Sequence, residues 1–209
     1  MIDLSLYFVA SCGNLGDESF LNLIKNAIKG GVSVVQLREK TLNSREFYTL
    51  ALKVKALCDE LQTPLIINDR VDIALAVKAS GVHLGQEDLP ISVARKLLGE
   101  NKIIGLSVKT PLQLENAKGA DYVGCGAVFQ SATKDSSLIG VAGLQALCEK
   151  SALPVVAIGG ICAENIALLK ACKIAGVAIS GALMNAENPY ETSSALKKAL
   201  QNALYKGER

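Results

Sequence analysis

The sequence predicts an α/β fold, a closed (β/α)8 TIM barrel formed by a single domain over residues 1–209. Three observations carry that prediction. Eight short β-rich runs alternate with helical patterns along the whole chain. The runs are near-continuously apolar, as parallel strands are when helices cover both faces of the sheet. The length of 209 residues, half of them hydrophobic, suits one barrel with a substantial core, and no Pro/Ser-rich linker or low-complexity segment divides it. An open, doubly wound sheet would need fewer strands and a glycine-rich first turn.

The strand runs, in order, are Leu6–Ala10, Val32–Arg38, Pro64–Asn68, Gly81–Gly85, Lys102–Val108, Tyr122–Ala127, Pro154–Gly159 and Gly176–Ser180. Between them, Asp17–Lys29, Ser44–Leu61 and Ser193–Leu204 have helical periodicity. In the second of these, Phe47, Leu50, Ala51, Val54, Leu57 and Cys58 share a face, with Ser44 at the start and Glu46 in the first turn.

Composition excludes several function classes. The net charge of +2, with no basic run or aromatic ladder, argues against nucleic acid as a partner. No apolar stretch reaches the roughly 18 residues that a membrane span needs. Met1–Ser11 carries Asp3 and lacks a basic region, so no secretory signal is expected and the chain is assigned to the cytoplasm. The six cysteines have no metal-ligand spacing and read as reduced, small hydrophobes. The only histidine, His83, falls inside a strand run and reads as structural. Small-molecule substrates remain, and a homo-oligomer stays open.

A barrel of this kind collects its chemistry at the C-terminal ends of the strands. Strand two ends in Gln36-Leu37-Arg38-Glu39-Lys40, in which Gln36, Arg38 and Lys40 alternate onto one side. Inward Arg and Lys require an anionic partner, either a ligand or a carboxylate such as Glu39. Strand three ends in Asn68-Asp69-Arg70, and Gln86-Glu87-Asp88 follows strand four. Asp69 and Asp88 could share a magnesium ion, or cap helices starting near Val71 and Pro90. Ser107 ends strand five, and the Ser131-Ala132-Thr133-Lys134 loop follows strand six. Both supply groups suited to phosphate, although Lys134 also reads as an exposed loop lysine. Gly159-Gly160 and Ser180-Gly181 end the last two strands, where backbone N–H groups bind phosphate or the glycines serve turns. These residues compose two anion sites. One, with a metal, suits a diphosphate leaving group; the other suits a monophosphate. No Ser-His-Asp or Cys-His nucleophile accompanies them.

Five motifs in order give the chain a family resemblance: Gln36–Lys40, Asn68–Arg70, Val82–Asp88, Ser131–Lys134 and Ala157–Ile161. Together they resemble the thiamine-phosphate synthases, over about Tyr7 to Gly181. The resemblance implies a transferase that joins hydroxymethylpyrimidine diphosphate to thiazole phosphate. Diphosphate would depart first, leaving a pyrimidine methylene cation for the thiazole nitrogen to attack. It further implies Asp69 and Asp88 as ligands of Mg2+. Gln36, Arg38, Glu39, Lys40, Asn68, Ser107 and Lys134 match positions that hold the pyrimidine diphosphate, with Arg38, Lys40, Ser107 and Lys134 as the catalytic set. Ser131, Ala132, Thr133, Gly160, Ile179 and Ser180 match positions that hold thiazole phosphate.

The chain departs from that pattern at Ser107-Val108-Lys109, where the family often has Ser-Ala-His, at Gly126-Ala127 for Gly-Pro, and at Ser131 for Thr. Two other readings compete. A thiazole tautomerase on the same barrel would use a histidine near the position of Ala127. A non-catalytic phosphate-ligand sensor would not need Asp69 and Asp88 beside Arg38 and Lys40.

Overall fold

The computed structural model describes residues 2–130 and 137–204. Among them, strands β1 (Leu6–Ala10), β2 (Val34–Leu37), β3 (Leu65–Asn68), β4 (Gly81–Leu84), β5 (Ile103–Val108), β6 (Tyr122–Cys125), β7 (Val155–Ile158) and β8 (Gly176–Ile179) pair in sequence order. Every pair is parallel, and β1 bonds β8 to close the barrel. The outer ring contains α1 (Asp17–Lys29), α2 (Ser44–Glu60), α3 (Val71–Ala76), α4 (Ile91–Leu98), α5 (Gly140–Lys150), α6 (Gly181–Met184) and α7 (Pro189–Leu204).

The expected barrel is therefore present, with two local differences. Short 3-10 helices, Pro111–Ala117 and Ile166–Leu169, follow β5 and β7 where α-helices were expected. Thr110 and Gln113 form a capping box with Pro111 just inside the first of them. The last helix begins at Pro189 rather than Ser193, because Asn188 accepts the Glu191 N–H on its side chain (3.3 Å) and Pro starts a helix without losing a donor. Helix α2 starts at Ser44 as expected, with Asn43 as its cap: the Asn43 Oδ1 accepts the Arg45 and Glu46 N–H groups, and the Glu46 carboxylate accepts the Asn43 N–H.

Alternation along the strands divides two layers. Leu6, Phe8, Val35, Leu37, Ile67 and Val82 point outward onto the helices, where they meet faces such as Phe20, Leu23, Ile24 and Ala27 of α1. Burying Phe20 or Ile24 this completely contributes roughly 1.5–3 kcal/mol each. The inward set is smaller: Tyr7, Val9, Val34, Ile66, Tyr122, Val156 and Ala178 form a second cluster inside the barrel. Its upper part carries the polar side chains Gln36, Asn68 and His83, all buried. Glycine makes room for them. A Cβ on Gly105 would lie 2.2 Å from the Tyr122 ring and 2.5 Å from His83 Nδ1, so β5 has no side chain at that level.

Candidate active site

The C-terminal end of the barrel brings β2, β3, β4 and β5 together. Asp69 follows β3 in the left-handed region (φ 61°), a conformation Asp tolerates better than most residues, and its N–H bonds the His83 carbonyl (2.9 Å). The Asp69 carboxylate forms an ion pair with Lys40. Asp88 turns back over β4 and accepts the Gly85 N–H (2.6 Å). The two carboxylates meet here: partial burial, then the Asp69 carboxyl beside it, push the Asp88 pKa above its ordinary value, against the Gly85 N–H and Lys40.

Neither aspartate caps a helix through its side chain. Arg70 and Pro90 occupy the N-cap positions of α3 and α4, without side-chain caps. Two facing carboxylates fit the oxygen chemistry that magnesium prefers, with waters and substrate phosphate completing its shell. Among the described residues, no cluster of three or more His, Cys, Asp or Glu competes for a metal.

The strand-two motif divides its labour. Gln36 points into the barrel and its Nε2 donates to Tyr7 Oη (2.8 Å). Arg38 is half-buried, with its backbone tied to β1 through Ala10 O (2.9 Å) and Ser11 Oγ (2.6 Å). The Glu39 carboxylate accepts the Cys12 N–H (2.5 Å), which braces the loop after β1, and its pKa is raised by burial. Lys40 extends past the strand to Asp69, so the carboxylate partner left open for Arg38 and Lys40 exists for Lys40, and it is Asp69 rather than Glu39.

Asn68 lies beside His83 in register on the barrel interior. Ser107 is half-buried, and its Oγ lies 2.9 Å from His83 Nε2. Its carbonyl accepts Gln86 Nε2 (2.7 Å), and Gln86 Oε1 accepts Asn116 Nδ2 (2.8 Å), which fixes the loop carrying Asp88.

Across the barrel, Gly159 and Gly160 adopt positive φ (102° and 63°). A Cβ on Gly160 would lie 2.4 Å from Gln130 O and 2.7 Å from Phe129 O, so this glycine is required by the crossing of the β6 and β7 loops. Its carbonyl accepts Asn165 Nδ2 (2.8 Å). The Ile179 side chain is buried outward in the helix layer, which leaves only its backbone to face a ligand. Ser180 starts α6, and its carbonyl accepts the Leu183 and Met184 N–H groups (3.0 and 2.9 Å). Ser131, Ala132, Thr133 and Lys134 lie outside the described residues.

Three further residues enter the site without having been singled out for it: Tyr7, Tyr122 and His83. Tyr7 Oη bonds Tyr122 Oη (2.8 Å), and Tyr122 Oη bonds His83 Nδ1 (3.0 Å). Burial pushes both phenols well above their ordinary pKa and lowers His83 to about 4, with Asp88 partly offsetting the fall. Their signal in the sequence is a polar group at an inward position of an otherwise apolar strand. A cavity of about 670 Å3 opens at the opposite end of the barrel, lined by residues including Asp3, Ser33, Thr63 and Lys197, and contains none of these groups.

Residues 6–183 match the thiamine monophosphate synthase family. The chain belongs to that family. A thiamine-phosphate synthase of Campylobacter jejuni is 54% identical over 203 residues, covering 97% of each chain. Another, from Alkaliphilus oremlandii, is 46% identical over 203 residues, covering 96% of this chain and 97% of its own. Among solved structures, a thiamine phosphate pyrophosphorylase from Pyrococcus furiosus superposes with a TM-score of 0.87 at 36% identity, covering 97% of this chain and 98% of its own. A 3-hexulose-6-phosphate synthase shares the fold alone, at TM-score 0.73 and 19% identity.

Proposed function

We propose that this family member is a thiamine-phosphate synthase, a transferase that moves the hydroxymethylpyrimidine group from its diphosphate to the nitrogen of thiazole phosphate. The observation that carries the reading is the Asp69–Asp88 pair beside Lys40 at the mouth of a barrel whose relatives, at up to 54% identity over nearly the whole chain, have that activity.

Asp69 and Asp88 would hold Mg2+, which when bound neutralises charge on the diphosphate and makes it a better leaving group. Lys40, which pairs with Asp69, and Arg38, which follows β2, would bind the diphosphate oxygens. Ser107 would donate a hydrogen bond to them, and Lys134 would add a further positive charge. Gln36 and Asn68, buried on adjacent strands, would orient the pyrimidine ring. Glu39 acts at one remove, by holding the β1 loop through the Cys12 N–H. Ser131, Ala132 and Thr133, with the backbone around Gly160, Ile179 and Ser180, would hold thiazole phosphate. No nucleophile or strong base is needed when the bond to diphosphate breaks first; placing the thiazole nitrogen against the methylene carbon is the larger part of the task.

The tautomerase alternative would use a histidine near Ala127. The chain's single histidine is instead buried in β4. Six free cysteines suit a reducing compartment, which supports cytoplasmic placement. The test is direct. Protein, Mg2+ and the two phosphorylated precursors are mixed and the products weighed by mass spectrometry. Thiamine phosphate and pyrophosphate in equal amounts are expected, with loss on chelation; absence of both products overturns the assignment.

A further inference from the structure

One continuous line of hydrogen bonds crosses the barrel interior. Gln36 Nε2 donates to Tyr7 Oη at 2.8 Å, and Tyr7 Oη lies 2.8 Å from Tyr122 Oη. Tyr122 Oη lies 3.0 Å from His83 Nδ1, and His83 Nε2 lies 2.9 Å from Ser107 Oγ. Gln36, Tyr7, Tyr122 and His83 are all buried, and the line surfaces only at Ser107. Four strands contribute to it, plus β6, and Gly105 is the vacancy that lets the Tyr122–His83 contact form.

Counting protons gives the line a direction. Tyr7 Oη accepts a hydrogen bond from the Gln36 amide, so its own single proton is directed to Tyr122. Tyr122 then has its single proton left for His83 Nδ1, which must accept. An imidazole that accepts at Nδ1 carries its hydrogen on Nε2, and Nε2–H donates to Ser107 Oγ. Ser107 is thereby supplied as an acceptor from below, and its own O–H is left to point out of the barrel. With no buried O–H left unpaired, reversing any one link reverses them all. With the Gln36 amide turned over, the Ser107 proton would be consumed by His83 and the hydroxyl could give nothing to an anion.

We propose that Tyr7, Tyr122 and His83 are positioning residues that hold His83 as the Nε2–H tautomer and so reserve the Ser107 hydroxyl proton for an anionic ligand, coupling it to the orientation of the Gln36 amide. The identity of that ligand as the diphosphate rests on the function proposed above; the proton order does not.

The single histidine makes the order observable, because a 15N spectrum of His-labelled protein contains one imidazole. At neutral pH, a pyridine-like Nδ1 and a pyrrole-like Nε2 are expected. The opposite tautomer overturns the proposal. Tyr122→Phe removes the middle hydroxyl while keeping the ring, and the tautomer preference should weaken or reverse; an unchanged spectrum also overturns it.

The kinetic arm uses Ser107→Ala in both backgrounds. Alone, Ser107→Ala and Tyr122→Phe should each lower kcat about ten- to hundredfold, as loss of one hydrogen bond to a charged group does. Together they should cost little more than either. Simple multiplication of the two losses, or a loss that follows the melting temperature, would show a merely structural role. If wild-type protein makes no thiamine phosphate yet shows the Nε2–H tautomer, the functional reading falls and the proton order stands.

Discussion

Acidification sets one proton against the barrel interior. His83 is enclosed between Tyr122 and Ser107, and burial lowers its pKa from 6.5 to about 4, with the Asp88 charge opposing part of the fall. In the unfolded chain the ring takes up its proton as pH drops through 6.5, whereas the folded protein resists until about 4. The unfolded state therefore binds more protons within that window, and stability declines as pH falls. The contribution is fully present above 6.5 and gone below about 4. At about 1.4 kcal/mol per pH unit, the loss across the window is about 3 kcal/mol, a large share of the roughly 5–15 kcal/mol typical of a domain.

Urea unfolding of the wild type and of His83→Gln, from pH 7.5 to 4, measures this contribution as the difference between two curves. The comparison matters because Asp88 and Glu39, whose pKa values are raised, tilt the curve the other way in both proteins. A raised carboxyl stabilises at low pH and loses that contribution as pH rises through its folded value. The wild type should lose about 3 kcal/mol more than the variant, with a midpoint between 4 and 6.5. Parallel curves through the window would refute the claim that the folded barrel excludes a charged His83.

Asp69→Asn keeps a residue that tolerates the left-handed backbone at that position and removes the charge, so it should fold normally while losing nearly all turnover; calorimetry alongside detection of thiamine phosphate by mass spectrometry checks both. Lys134→Ala should likewise abolish turnover at an unchanged melting temperature. Gly160→Ala puts a methyl group within 2.4 Å of Gln130 O at a positive φ, and should lower stability by roughly 1–3 kcal/mol while weakening thiazole phosphate most, as read from chemical denaturation and the two KM values.

The barrel was legible because its signals are local. Apolar runs such as Val155–Ile158, separated by helical faces such as Phe20, Leu23, Ile24 and Ala27, report period and burial directly. The ends of α1 and the start of β1 needed no tertiary information. Helix starts after loops were unevenly legible: α2 begins at Ser44 as expected, whereas Asn188 with Pro189 starts α7 a turn early. There, side-chain geometry decides between neighbouring residues that all have capping chemistry.

By itself the sequence determined which chemical groups the chain carries and which strand ends carry them, since the order of residues along a strand sets what can lie at its C-terminal end. Only closure of the barrel decided which groups meet. The Asp69–Asp88 pair depends on two separate loops, each turning back over its strand. The Gln36–Tyr7–Tyr122–His83–Ser107 line draws on five strands and on the lack of a side chain at Gly105, whose place the Tyr122 and His83 rings fill. Contacts of that kind join residues up to 115 positions apart, and no periodicity reports them, because their geometry exists only when β8 pairs with β1 and the strands share one interior.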